Sequence, residues 1–213
     1  MRPNLKIGLV GAGWAARQHC KSLKAIGGAD VVAVFDVDAV SRDSLAAELQ
    51  AVPVRTLDDL LAADIDVVIV STPSGTHHES VVPALQHNKA VFVEKPVSRG
   101  ILDAWEIVKT AESSGTICAV GYQWRALDDL LSIDENLQGS VPASIVSQGV
   151  GITQARSWFN DDKLSGGLIF ERVSHHIDLQ RMIAGEVESV STVRGGVALS
   201  GRVNPADTEN DIL

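Results

Sequence analysis

Five mostly apolar runs mark the first half of the chain, at residues 6–10, 31–35, 67–71, 90–94 and 117–121. Each carries at least four successive apolar residues rather than an alternation, the pattern of a strand covered on both faces. A shorter run near Val54 reads as a sixth, weaker strand. Between the runs, apolar residues return every three or four positions. That spacing predicts helices over 14–26, 41–50, 57–63, 76–87 and 101–114. Thr56 followed by Asp59 reads as an N-cap with a carboxylate in the first helical turn. Regular alternation of strand and helix implies an α/β fold with a doubly wound parallel sheet.

The pattern changes after Gly121. Residues 127–137 read as a helix, and 143–152 as a strand of a more alternating kind that carries Ser and Gln. A polar loop at 156–165 leads through Gly166-Gly167 into a helix over 168–184, then a strand candidate over 187–199. The boundary near Gly121 divides the chain into residues 1–121 and a second domain, 122–213. The polar stretch 204–213 leads toward a further strand, so the second domain reads as incomplete, with open sheet edges that favour aggregation or oligomerisation.

The first strand turns directly into the first helix through Gly11-Ala12-Gly13, and the pattern G-x-G-x-x-A is completed by Ala16. Each position has a physical role. Gly11 permits the tight turn, Gly13 lets the backbone approach a pyrophosphate, and a small Ala16 lets helix and strand pack closely. The N–H groups at the helix start then face the phosphates. Asp36 ends the second strand twenty residues after Ala16, where a carboxylate reaches a ribose 2′-OH. The unit therefore reads as a dinucleotide site. Asp36 favours NAD, while nearby Arg42 leaves NADP open. In such sheets ligands bind beyond the carboxyl ends of the strands. Three strand-end peptides are thus singled out: Gly11–Gly13, Ser71-Thr72-Pro73 and Glu94-Lys95-Pro96.

Composition narrows the field further. Of 213 residues 45% are hydrophobic, enough for a sizeable core, and the net charge of −9 comes with no basic cluster. Nucleic acid and anionic membranes are poor partners for such a surface. No apolar run has the length of a membrane span or a signal peptide. The two cysteines, Cys20 and Cys118, sit inside predicted elements and read as small buried hydrophobes, with no disulfide framework and no metal site. The expected compartment is the reducing cytoplasm.

Two clusters carry chemistry. Lys95 closes a buried strand, where partial desolvation lowers a lysine pKa toward a range useful in proton transfer. Glu171, His175 and Asp178 stand at i, i+4 and i+7 and share one helical face. A carboxylate one turn from an imidazole can fix its tautomer and raise its basicity, which makes His175 a candidate general base. The same spacing also describes a solvated helix side. His176 reads as bland.

The ordered set GxGxxA, Asp36, STP at 71–73, EKP at 94–96, GYxxR at 121–125 and GG…ExxxHxxD resembles the glucose–fructose oxidoreductase, inositol dehydrogenase and MocA family over residues 5–213. The resemblance implies a Rossmann domain followed by an α+β domain with a mostly antiparallel open sheet, which holds substrate and often forms the oligomer interface. It implies a nicotinamide-dependent oxidoreductase acting on a secondary alcohol of a sugar, cyclitol or related polyol. A truncated, non-catalytic dinucleotide-binding protein is the alternative. The resemblance makes Lys95 the lysine that meets the nicotinamide ribose and the substrate hydroxyl. It gives Glu171 the acidic position, usually Asp, and His175 the catalytic one. It sets Ser71, Thr72, Pro73, His77 and Glu94 beside the cofactor, and Arg125 near the substrate or in a structural carboxylate pair. Trp158 is a candidate wall of the sugar site.

Overall fold

A computed structural model of the chain describes residues 4–149, 158, 161–166 and 169–192. Six strands form one wholly parallel sheet in the order β3-β2-β1-β4-β5-β6. They are β1 (Leu5–Val10), β2 (Ala29–Phe35), β3 (Val52–Val54), β4 (Val67–Val70), β5 (Ala90–Val93) and β6 (Cys118–Val120). Five helices connect them: α1 (Trp14–Ile26), α2 (Ala39–Leu49), α3 (Leu57–Leu61), α4 (His77–Gln86) and α5 (Ile101–Ser114). The weak run near Val54 is a real strand, and α1 and α5 keep their predicted limits. Thr56 caps α3 as expected, its side-chain oxygen accepting the Asp59 N–H at 3.0 Å.

The sheet is apolar on both faces because helices cover both. One face packs Leu60, Val68, Val81, Leu85 and Ile107 into a common core. The other packs Leu9, Ala16, Cys20, Val34 and Leu45. Ala16 is fully buried, consistent with the need for a small residue where α1 lies on β1. The registers are matched at the carboxyl ends. Phe35 pairs with Val10, Val10 with Val70, Val70 with Val93, and Val93 with Val120. The strands therefore finish level, and their following peptides leave along one rim.

Beyond β6 the described residues are helical or irregular. The helix expected over 127–137 is two short ones, α6 (Asp128–Leu131) and α7 (Ile133–Leu137). Next come α8 (Asp162–Ser165), a π-helical turn over Ile169–Val173 and α9 (Ser174–Ala184). The strand expected over 143–152 is irregular at 143–149, because no described neighbour supplies a ladder for its backbone; residues 150–152 lie outside the description. Of the strand expected over 187–199, residues 187–192 are likewise irregular and the rest lie outside the description. The antiparallel second sheet is thus not found among the described residues.

Gly11 ties the rim together. Its φ is +96°, and a Cβ there would stand 2.9 Å from both the carbonyl carbon and oxygen of Ser71. Those are backbone atoms held in the sheet, so they do not yield. Gly11→Ala should combine a left-handed backbone penalty of about 1–2 kcal/mol with overpacking of about 1–3 kcal/mol. Urea denaturation of the variant checks this; an unchanged midpoint would show that the β1–β4 junction tolerates a side chain.

Candidate functional site

A cleft of about 1600 Å³ opens along the rim. It lies where the strand order reverses between β1 and β4, the position at which open α/β sheets receive ligands. Its floor is the turn after β1. Gly11 N–H donates to Phe35 O at 2.8 Å, while Ala12 N–H donates to Asp36 Oδ2 at 2.6 Å. Asp36 Oδ1 accepts a second backbone N–H from Asp38 at 2.8 Å. The carboxylate is thereby oriented at the end of β2 and lines the cleft.

The residues present fit a dinucleotide. Helix α1 starts at Gly13 with no side-chain cap and no acidic residue in its first turn, so the chain supplies no anion of its own for those N–H groups. A Cβ on Gly13 would meet nothing within 4 Å, in keeping with a backbone left open to a close-fitting group. Ser71 Oγ, at the end of β4, is buried without a hydrogen-bond partner among the described residues and also lines the cleft. These polar groups are arranged toward a ligand rather than toward one another.

The second wall comes from the peptides after β4 and β5. His77, at the start of α4, is buried, with Nδ1 2.9 Å from Pro96 O and Nε2 2.9 Å from Thr72 O. It joins the two strand-end turns from behind and is not among the residues lining the cleft. Burial holds its pKa below the ordinary imidazole value, although the facing carbonyls favour the charged form. Glu94 does line the cleft. Its Oε1 meets His19 Nε2 at 2.8 Å, and its Oε2 accepts the Lys95 N–H at 3.2 Å. Burial pushes the Glu94 carboxyl up, but the His19 hydrogen bond and charge, with help from the Lys95 N–H, prevail and hold it below its usual range. His19, whose ring also sits edge-on to Phe92 at 5.3 Å, therefore steadies Glu94.

Lys95 Nζ reaches across the cleft. It donates to Glu171 O at 2.8 Å and meets Glu171 Oε2 at 3.3 Å. The other carboxylate oxygen, Oε1, accepts the Ser74 hydroxyl at 2.8 Å. The turn that carries Glu171 is π-helical, a geometry that recurs at functional sites because it re-aims side chains within a helix. Glu171, His175 and Asp178 are respectively 7%, 8% and 6% exposed, so the shared face is buried rather than solvated.

One expectation needs correction. Glu171 does not orient His175; its carboxylate is taken by Lys95 and Ser74, and His175 Nδ1 is buried with no partner among the described residues. An ammonium competes for a carboxylate better than a neutral imidazole does. The His175 ring is held instead by aromatic packing, stacked on Trp124 at 4.9 Å and 17°, with Tyr122 edge-on at 5.9 Å. Its pKa is lowered, first by burial and then by the nearby Lys95 charge, rather than raised by Glu171.

Arg125 forks onto Asp178 with two bonds of 2.7 Å, which is the structural carboxylate pairing of its two expected roles. Trp158 lines the cleft, as do Thr72 and Pro73. Sequence reasoning passed over Ser74, whose hydroxyl holds Glu171 from the β4 side. It also passed over His176, which lines the cleft, lies edge-on to Trp124 and contacts Ser147 Oγ. The doubled histidine was the available signal for His176, whereas Ser74 had none beyond following Pro73. Among the described residues no cluster of His, Cys, Asp or Glu is arranged for a metal ion, and no helix is long and apolar enough to cross a membrane.

The chain is similar to known proteins in sequence and fold. Residues 5–122 match the GFO_IDH_MocA model, described as an oxidoreductase family with an NAD-binding Rossmann fold. A 2,7-anhydro-N-acetylneuraminate hydratase of Escherichia coli K12 is 27% identical over 205 residues, covering 92% of this chain and 54% of the relative. An inositol 2-dehydrogenase of Rhizobium meliloti is 27% identical over 210 residues, covering 95% and 62%. Among solved structures, the WlbA dehydrogenase of Chromobacterium violaceum, in complex with NADH and UDP-GlcNAcA, superimposes with a TM-score of 0.77 at 26% identity, covering 87% of this chain and 56% of that one. The chain spans little more than half the length of these proteins. With the glycine turn, the oriented Asp36 and the level rim of the parallel sheet, the match leaves one conclusion: the chain belongs to the GFO_IDH_MocA oxidoreductase family, which has an NAD-binding Rossmann fold.

Proposed function

We propose that the protein, in its complete form, transfers a hydride between NAD and a secondary alcohol of a sugar, cyclitol or related polyol. The observation that carries this reading is convergence. Lys95 from the sheet rim and His175 from α9 line the same cleft as the glycine turn and Asp36. The family match and the names of the inositol dehydrogenase and of the sugar-nucleotide complex support the substrate class.

Each residue then has a defined task. The Gly11–Gly13 turn and the α1 N-terminus hold the pyrophosphate, and Asp36 accepts the adenosine ribose hydroxyls. When bound, the nicotinamide supplies the hydride chemistry. Lys95 donates a hydrogen bond to the substrate hydroxyl and orients it, its ammonium positioned by Glu171. His175, with Nδ1 shut away from solvent, uses Nε2 to take the hydroxyl proton. A pKa held down by burial and by Lys95 keeps the imidazole neutral at pH 7, as a base must be. The stacked Trp124 keeps the ring from turning away.

The hydratase relative favours a second reading, in which hydride leaves the substrate and returns within one turnover. The two differ in one measurement: dehydrogenation accumulates NADH in step with product, and the redox-neutral course does not.

Cofactor choice follows from the charges. Asp36, which lines the cleft, would face a 2′-phosphate, and the Arg42 guanidinium is drawn to Asp43 at 2.7 Å. Calorimetric titration should show NADH binding at least tenfold tighter than NADPH, about 1.4 kcal/mol; equal or reversed affinities would contradict the role of Asp36.

The glycine turn and the catalytic pair should separate cleanly. Gly13→Val, with open space around the position, should cost no more than the loss of a favourable N-cap, about 1 kcal/mol, and abolish NADH binding. Lys95→Ala and His175→Ala should each reduce turnover of a cyclitol or sugar substrate by about 10²–10⁴-fold while NADH affinity stays within a few-fold. Near-normal turnover in both would remove the pair from the mechanism.

The pH dependence has a definite sign. His175 acts as a base and its pKa lies below the ordinary 6.5. Turnover should rise with pH on a limb centred below 6.5 and be level from there through neutrality. His175 and the buried His77 are both harder to protonate folded than unfolded, so their stability contribution is complete above 6.5 and is lost as pH falls. An acid limb centred above pH 7 would assign the base elsewhere.

A further inference from the structure

We infer that Ser74 is a positioning residue for Lys95, acting through Glu171: its hydroxyl fixes the carboxylate that holds the ammonium in the cleft. This rests on the role given to Lys95 above, although its test does not.

Ser74 is 2% exposed and stands one residue beyond the Ser71-Thr72-Pro73 peptide, so it belongs to the wall of the cofactor side. Its hydroxyl donates one proton, and three oxygens lie in reach. Glu171 Oε1 is nearest at 2.8 Å; Leu164 O and Ser165 O are at 3.2 and 3.3 Å. A charged acceptor takes the stronger bond. The carboxylate is thus gripped at both ends, by Ser74 on Oε1 and by Lys95 on Oε2. A carboxylate free at one end would rotate and present Oε2 to Lys95 only part of the time, leaving the ammonium for the rest on the Glu171 carbonyl alone. In a buried site such a loss is not made good by water.

The next residue makes this contact geometrically feasible. A Cβ on Gly75 would lie 2.3 Å from Lys163 O, so only glycine lets the backbone of α8 come this close to the β4 turn. Ser74 and Gly75 together form the joint at which the segment bearing Glu171 meets the sheet rim. Sequence separation of nearly a hundred residues between Ser74 and Glu171 is bridged there. The ion pair between Lys95 and Glu171 is itself 16% and 5% exposed at its side chains, so its geometry, rather than solvent, decides where the ammonium points.

Competitive acetylation of the folded protein, read residue by residue by mass spectrometry, tests the proposal without substrate or cofactor. Lys89, bonded to Ile65 O on the far side of the sheet, is the internal standard. Ser74→Ala should raise Lys95 labelling at least threefold relative to Lys89. Glu171→Gln should raise it at least as much, and the double variant no further. Ser74→Thr against Ser74→Val repeats the comparison with hydroxyl and methyl of equal size: Thr should label like the native protein and Val like Ser74→Ala. This pair decides the matter if Ser74→Ala does not fold. Native labelling in the hydroxyl-free variants overturns the proposal, as does a double variant whose effects multiply, since Ser74 would then act other than through Glu171. Because no turnover is read, failure here is distinct from failure of the hydride-transfer reading, which stands or falls on cofactor binding and rate.

Discussion

Matched register across a parallel sheet is the constraint on which the site depends. Parallel strands bonded residue for residue at Val10, Val70, Val93 and Val120 must end at one height. Every peptide leaving them is then delivered to the same edge. That single geometric fact brings the glycine turn, the Ser71-Thr72-Pro73 peptide and the Glu94-Lys95-Pro96 peptide side by side. A slip of one register would move a strand end by about 3.3 Å and turn its side chains to the opposite face. The apolar covering of both faces, by α1 and α2 on one side and α3, α4 and α5 on the other, forbids the slip.

Charge is organised by the same rim. Three pairs of polar side chains join separate segments at or beside this rim: His19 with Glu94, Lys95 with Glu171, and Arg125 with Asp178. A buried ion pair such as Lys95–Glu171 contributes little net stability, because desolvation offsets its attraction. The effect of the three pairs is to fix geometry. Two of the three link the region after Gly121 back to the sheet rim or to the peptide that follows it. The third, between α1 and the end of β5, stiffens the rim itself. Removal of either Lys95 or Glu171 leaves the other charge in a poorly solvated place, so that pair also makes the arrangement hard to distort.

His175 shows how position alone lowers an imidazole pKa. Nothing bonded to it tunes it upward. Burial and the Lys95 charge lower its pKa, and stacking on Trp124 restrains its ring. The result is a neutral imidazole of fixed orientation beside a fixed ammonium, which is a pairing of unlike protonation states in one cleft.

Much of this was legible in the amino-acid order. Mostly apolar runs specified the strands, three- and four-residue spacing specified α1 to α5, and Thr56 marked the start of α3. Those signals are local, since a strand buried on both faces and a helix with one apolar stripe advertise themselves within a dozen residues. Gly11, Gly13, Ala16 and Asp36 were legible for the same reason: one βαβ unit contains the whole site element. Partnership was not legible. The i, i+4 spacing joined Glu171 to His175, whereas the fold gave Glu171 to Lys95 and Ser74, residues 76 and 97 positions away. His77 was expected beside the cofactor and braces Thr72 and Pro96 from behind the cleft, while His19 braces Glu94. A side chain's chemistry is written in its own residue, so the sequence by itself determined which groups could act. Which groups meet depends on distances between segments far apart in the chain, and only the closing of the sheet and the docking of α8 and α9 against its rim decided that.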